Sequence, residues 1–280
     1  MKKTFILLMA LAGIAGAGES QITLLYGMDF NKLSGGIVYE NIAASPGAGT
    51  VNSQGYGYHN YVTGMDGSYA SDIRSSGAYY FDITGTNGLG VNTGNGFTLT
   101  FNTSFVSNDD WSSLLGFNIG GQDLVFHWGR ITTTGTTKTT SMNIYTKGDG
   151  GPVSTDSVAL GVAGMEANKW YNVALVAKNG KLTLSVFTPS SELVGSTTVA
   201  SKYTGSLNSV TGYVNYKFNT SYIDNLAIYD GALTKEQLAA LTRYEMKNQT
   251  LMQSVPEPAT ATLSLLALAG LMARRRRKAA

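Results

Sequence analysis

A chain of 280 residues with no cysteine can hold no disulfide, thiol nucleophile or Cys-ligated metal centre, so its core supplies stability alone. The formal charge of +2 sits at the ends: Lys2, Lys3, Arg274, Arg275, Arg276, Arg277 and Lys278 are seven cations, and the body between them carries about −5. Nucleic-acid binding therefore has no electrostatic support.

The chain opens MKKTFILLMALAGIAGAGES. A charged start, an uncharged run over 4–17 and the small-x-small Ala15-Gly16-Ala17 predict a secretory signal peptide over residues 1–17. Signal peptidase would be the first partner, leaving a mature chain from near Gly18. About 235 residues then precede the tail, enough for one large all-β domain. Its 34 glycines, five prolines and 16 tyrosines fit short strands joined by tight turns.

Strands are predicted in order at 22–30, 78–83, 97–105, 113–119, 123–128, 141–145, 210–216 and 222–229. In GFTLTFNTSF, Phe97, Leu99, Phe101, Thr103 and Phe105 share one parity and make an almost wholly apolar face. NKWYNVALVAKNGKLTLSVF reads as a β-hairpin about Asn179-Gly180, two residues that tolerate positive φ, with Leu182, Leu184 and Val186 inward. No βαβ rhythm is present, which argues an antiparallel sandwich over residues 18–246. One helix is predicted, LTKEQLAALTRYEMK. Thr234 and Gln237 form its capping box, Leu233 and Leu238 its hydrophobic staple, and Leu238, Leu241 and Tyr244 its packing face. Residues 247–255 read as a short linker.

YIDNLAIYDGALTKEQLAAL resembles the closing strand and helix of laminin-G-like jelly rolls of the concanavalin A-like superfamily. Trp170, Val173 and Ala174 resemble that family's Trp-x-x-Val-Ala hairpin, GFTLTFNTSF its central strand and LLYGMDF its opening one. The resemblance implies an all-β antiparallel jelly-roll sandwich with one short C-terminal helix packed on it. The hairpin's second strand departs from the family, ending Val186-Phe187-Thr188-Pro189, which predicts a differently built loop after it.

Catalysis has little support. Glycoside hydrolysis needs two carboxylates roughly 5–10 Å apart across a cleft, and on one strand that means acidic residues two or four apart. Asp109 and Asp110 are adjacent, Glu166 and Glu192 stand alone in presumed loops, and the Glu-x-Asp-x-x-Glu pattern of the superfamily's glucanases is absent from the sequence. His59 and His127 have no carboxylate and nucleophile beside them in sequence. A metal is more plausible. Asp224 shares parity with Leu226 and Ile228, and a buried carboxylate needs a cation or several donors. The family resemblance implies a structural calcium near the junction of first and last strands, with Asp29 and Asp224 supplying oxygens. The plain alternative has Asp29 capping a turn and Asp224 paired with a lysine or arginine. Asp109, Asp110 and Asp149 are weaker candidates.

Sugar binding requires exposed aromatics beside orienting polar groups. QGYGYHNY brings Tyr56, Tyr58, His59 and Tyr61 together, and NDDW adds Asn108 and Trp111. The plain reading is that abundant tyrosine covers sheet edges and loops. Two functions stay open at this stage: a lectin-like module for polysaccharide or glycoprotein glycans, and an adhesive matrix component with no small ligand.

The tail, residues 256–280, carries three parts: Pro256-Glu257-Pro258, an apolar segment over 259–273, and Arg274, Arg275, Arg276 and Arg277. The apolar segment holds 15 residues, against about 20 that span hydrocarbon comfortably. As a single short transmembrane helix it would retain the chain in the membrane transiently, its arginines held in the cytoplasm and the folded domain outside. The order is similar to the PEP-CTERM sorting signal of Gram-negative bacteria. That resemblance implies an exosortase-type enzyme, cleavage near Pro-Glu-Pro and delivery to the cell surface or extracellular matrix. A permanent single-pass anchor is the alternative.

Overall fold

The computed structural model describes residues 21–31, 33–34, 36–37, 40–55, 61–74, 79–107, 112–148, 151–152, 160–201, 203–212 and 220–256. The predicted signal peptide, Glu257, Pro258, the apolar segment 259–273 and the arginine cluster lie outside them. Among the described residues no helix is long and apolar enough to cross a membrane. Thr23–Gln253 forms one compact unit. Met1–Ile22 and Ser254–Ala280 form a second, whose described residues are Gln21, Ile22 and a three-residue strand.

In chain order the strands are β1 (Gln21–Met28), β2 (Leu33–Ser34), β3 (Gly36–Ile37), β4 (Thr50–Gly55), β5 (Tyr61–Thr63), β6 (Tyr69–Arg74) and β7 (Tyr79–Thr84). There follow β8 (Phe97–Ser107), β9 (Ser112–Ile119), β10 (Gln122–Trp128), β11 (Thr132–Thr134), β12 (Thr137–Gly148), β13 (Gly151–Pro152) and β14 (Leu160–Glu166). The last are β15 (Trp170–Lys178), β16 (Lys181–Phe187), β17 (Leu193–Ala200), β18 (Leu207–Gly212), β19 (Thr220–Tyr229) and β20 (Ser254–Pro256), with the helix α1 (Lys235–Asn248) before β20.

Two antiparallel sheets face each other. The first runs β17-β16-β15-β8-β19-β1, with β6 also on β19 and β5 on β6. The second runs β11-β12-β10-β9-β18-β7-β4, with β13 and β14 on β12. Phe97, Leu99, Phe101 and Phe105 of β8 point between the sheets as their parity predicts. Phe101 meets Phe126 edge-on at 5.0 Å, and Phe105 lies 4.9 Å from Trp128. Burial of each such ring stabilises by about 2 kcal/mol. Thr103, the polar member of the set, keeps its hydroxyl satisfied by donating to the Tyr222 carbonyl at 2.8 Å.

The Asn179-Gly180 hairpin forms as predicted, with φ of 50° and 68° and Lys178 opposite Lys181. After it, Thr188 N donates to the Glu192 carbonyl at 2.9 Å and Ser191 takes φ 67°. That turn stands where the sequence departs from the family pattern. Glu166 ends β14 rather than lying in a loop, and pairs with Lys169 at 2.8 Å.

Helix α1 carries its capping box: Gln237 N donates to Thr234 Oγ1 at 3.2 Å and Thr234 N to Gln237 Oε1 at 2.8 Å. Its packing face departs from the prediction. Leu238, Leu241, Thr242 and Glu245 are buried, whereas Tyr244 is 36% exposed. Leu238 and Glu245 are seven apart and nearly eclipsed, while Tyr244 sits about 120° round the helix from Leu238. The helix lies on the outer face of the first sheet, where Thr98 Oγ1 accepts from Leu233 N at 2.9 Å and donates to the Gly231 carbonyl at 2.7 Å. Beyond it the chain stays pinned, with Leu24 N donating to the Gln253 carbonyl at 2.9 Å.

Candidate functional site

On the helix-covered face of the first sheet, the outward residues of β8 are Thr98, Thr100, Asn102 and Ser104, all buried. Asn102 stands in register with Asn172 of β15 and Asp224 of β19. A polar ladder thus crosses three central strands, and Asn172 Nδ2 donates to Asn102 Oδ1 at 2.8 Å.

A bulge in β19 builds the site. Asp224 pairs with Asn102 but Ala227 pairs with Thr100, so two residues stand where one would fit. Asn225 absorbs the slip at φ 48°, a left-handed conformation that asparagine tolerates better than most residues. This corrects the parity argument. Asp224 is fully buried, but on the face beneath α1 rather than beside Leu226 and Ile228 in the inter-sheet core. Asn225, its neighbour, is fully buried too.

The turn between β5 and β6 closes over the bulge. Met65 N donates to Asp224 Oδ2 at 3.1 Å, and Asn225 Nδ2 donates to Asp66 Oδ2 at 3.2 Å. Ser68 N donates to Asp66 Oδ1 at 2.8 Å, which fixes the turn locally. A Cβ on Gly64 would stand 2.2 Å from Asp224 Oδ2, so this position accepts only glycine at its present distance. From the other side Gln249 Nε2 donates to the Asp66 carbonyl at 3.1 Å, joining the end of α1 to the same turn.

The site is rich in acceptors. Asp224 Oδ1, Asn225 Oδ1, Asn172 Oδ1 and both carboxylate oxygens of Glu245 are buried without a hydrogen-bond partner. Opposite them, the unpartnered donors are Asn102 Nδ2 and, where it donates, the Thr100 hydroxyl. Burial and then the neighbouring Asp66 charge push the Asp224 carboxyl up to about 8, with the Met65 and Asn225 amides opposing. Glu245 is raised well above the ordinary carboxylate range by burial, then by Asp224 and Asp66. The Asn102 amide offsets part of that rise without completing a hydrogen bond. Among the described residues no lysine or arginine pairs with either carboxylate. An acceptor excess of this kind is resolved by protons or by a cation.

Asp29 lies at the end of β1, part-exposed, within electrostatic reach of Asp224. Its Oδ1 accepts from Asn31 N at 3.2 Å, which is the turn-capping role the sequence allowed. Among the described residues no three His, Asp or Glu side chains are grouped to hold a metal by themselves. Amide and backbone oxygens would have to complete a coordination shell around the carboxylates, as calcium permits. Tyr56, Tyr58, His59, Asn108 and Trp111 lie outside the described residues, as do Asp109, Asp110 and Asp149. His127 is buried on β10, its Nε2 3.3 Å from Ser113 Oγ and its ring 5.4 Å from that of Tyr145. Sequence reasoning missed Asp66, Asn102, Asn225 and Glu245. Asn-Gly-like turn chemistry in MDGS and the heptad spacing of Leu238 and Glu245 were the available signals.

Residues 254–278 match a family model described as the PEP-CTERM protein-sorting motif. The chain carries a PEP-CTERM motif at its C-terminus. The PEP-CTERM segment begins one residue after the compact unit Thr23–Gln253 ends. For the body, solved structures show the fold. The binding domain of Paraclostridial Mosquitocidal Protein 1 matches with TM-score 0.51 and 12% identity, over 79% of this chain and 52% of that one. The binding domain of botulinum neurotoxin DC in complex with SialylT matches at 0.50 and 13%, over 79% and 51%. The same toxin's binding domain in complex with rat synaptotagmin II matches at 0.52 and 12%, over 79% and 52%. The chain spans about half the length of these structures. The body of this PEP-CTERM chain is therefore an all-β antiparallel sandwich with the fold of those binding domains. No curated protein matches the chain.

Proposed function

We propose that the protein is an exported, surface-sorted binding module without catalytic activity, which holds carbohydrate of the cell surface or extracellular matrix. The observation that carries this reading is the PEP-CTERM motif joined directly to a lectin-like sandwich. Support for a glycan or glycoprotein ligand comes from solved neighbours described as binding domains, one in complex with SialylT and one with rat synaptotagmin II. Tyr56, Tyr58 and Trp111 would stack on sugar faces while His59 and Asn108 orient hydroxyls.

Delivery follows from the two ends. Signal peptidase removes residues 1–17, the apolar segment 259–273 holds the chain in the membrane, and an exosortase-type enzyme cuts near Pro256-Glu257-Pro258. A structural calcium ion belongs to the same reading, with Asp29 and Asp224 as carboxylate ligands. The orphaned oxygens at the bulge and the tight cradle over Gly64 fit such an ion. Calcium there would supply charge compensation and fix the β5–β6 turn on β19; it takes part in no reaction.

Intact-mass measurement of the protein recovered from the cell surface tests the delivery scheme. The expected mass lacks both the leader and everything beyond the Pro-Glu-Pro region. A mass that still includes Arg274, Arg275, Arg276 and Arg277 contradicts processing and favours a permanent anchor.

A further inference from the structure

The acceptor excess is not confined to the bulge, because Glu245 reaches it from a different element. Glu245 opens the last turn of α1, fully buried, with neither carboxylate oxygen partnered. It feels the charges of Asp224 and Asp66 and faces the Asn102 amide of the ladder. Gln249, four residues on, ties the end of the helix to the Asp66 carbonyl. Docking the last turns of α1 thus brings the Glu245 carboxyl within electrostatic reach of Asp224 and Asp66, without making it a member of their group. Like charges facing one another across a buried region oppose docking unless they are protonated or compensated.

We infer that a divalent cation bound between the Asp66 turn and the Asp224–Asn225 bulge controls the docking of α1 through Glu245. The inference rests on the calcium reading above and extends it from a static brace to a latch. The cation offsets the charge of the carboxylates around it, so the helix end closes with Glu245 ionised near Asn102. Glu245 acts here as a positioning residue, coupled to the ion through charge rather than as a ligand in its own right. The trailing residues follow the helix: Tyr229 Oη donates to the Met252 carbonyl at 3.0 Å, and Gln253 Nε2 donates to the Ile42 carbonyl at 3.3 Å. The same latch therefore sets whether residues 249–253, which lead into the sorting motif at 254, are held on the sandwich.

Hydrogen-exchange measurements on the exported protein, in calcium and in EDTA, test this, with calorimetric titration of calcium alongside. Calcium is expected to slow exchange across residues 240–253 by about tenfold or more, well beyond its effect on the β15–β16 hairpin. Glu245→Gln is expected to keep calcium binding yet make exchange in 240–253 insensitive to the ion. Asp224→Asn is expected to lose binding and to give the same exchange in 240–253 in either buffer. Calcium bound without any change in 240–253, or full calcium sensitivity in Glu245→Gln, overturns the latch and leaves the calcium reading intact. No heat of calcium binding to the wild-type protein overturns both.

Discussion

Gly64 is the position where one methyl group reports on the bulge. Its backbone N donates to the Ser68 carbonyl at 2.8 Å while its missing Cβ leaves room for Asp224 Oδ2. Gly64→Ala forces either the turn or the carboxylate to move, which breaks the Met65–Asp224 hydrogen bond. Leaving that buried oxygen unsatisfied costs roughly 1–3 kcal/mol. Thermal unfolding is expected to show a lower Tm for Gly64→Ala and a much reduced rise in Tm on adding calcium. An unchanged calcium response would separate the turn from the ion site. Asp224 also marks the limit of parity reasoning. Its burial follows from its place among Tyr222, Leu226 and Ile228, but the face it occupies depends on a bulge at Asn225 that alternation cannot register. A single left-handed asparagine inside a strand has no periodic signature.

At the scale of elements, α1 is the instructive case. Its start was legible because Thr234, Gln237 and Leu233 satisfy local capping chemistry, which acts over four residues and needs no tertiary partner. Its packing face was only half legible. Leu238 and Leu241 are buried as apolar residues should be, but Glu245 replaces Tyr244 on the inner face because the sheet beneath is polar there. Leu241→Ala is expected to destabilise by about 2–5 kcal/mol, and Tyr244→Ala by no more than about 0.5 kcal/mol. Denaturant unfolding of the two variants checks the order, and a larger loss for Tyr244→Ala would show the helix docked on its other face. Strands told the same story. The hairpin about Asn179-Gly180 and the β8 face were readable because turn chemistry and alternation agree. Strand β17, LVGSTTVA, was not, because as an edge strand of mostly small and polar residues, half-buried or exposed, it carries no strong apolar stripe.

For the whole molecule, charge and address are separable from the fold. The cations that make the chain formally basic are Lys2, Lys3 and those of the PEP-CTERM segment, and the residues between are mildly acidic. The sorting motif was legible in the sequence because it is a linear signal of Pro-Glu-Pro, apolar run and arginine block. The proposed ligand residues could not be joined in the same way, since Tyr56, Tyr58, His59, Asn108 and Trp111 come from two segments distant in sequence. The central claim is that this sandwich holds carbohydrate with calcium bound. A glycan array probed with the exported protein, with and without EDTA and beside a Tyr58→Ala/Trp111→Ala variant, tests it most directly. The account predicts binding to a defined set of glycans that weakens in EDTA and is lost in the variant. Silence across the array for the wild-type protein, or binding that the variant retains in full, would contradict it.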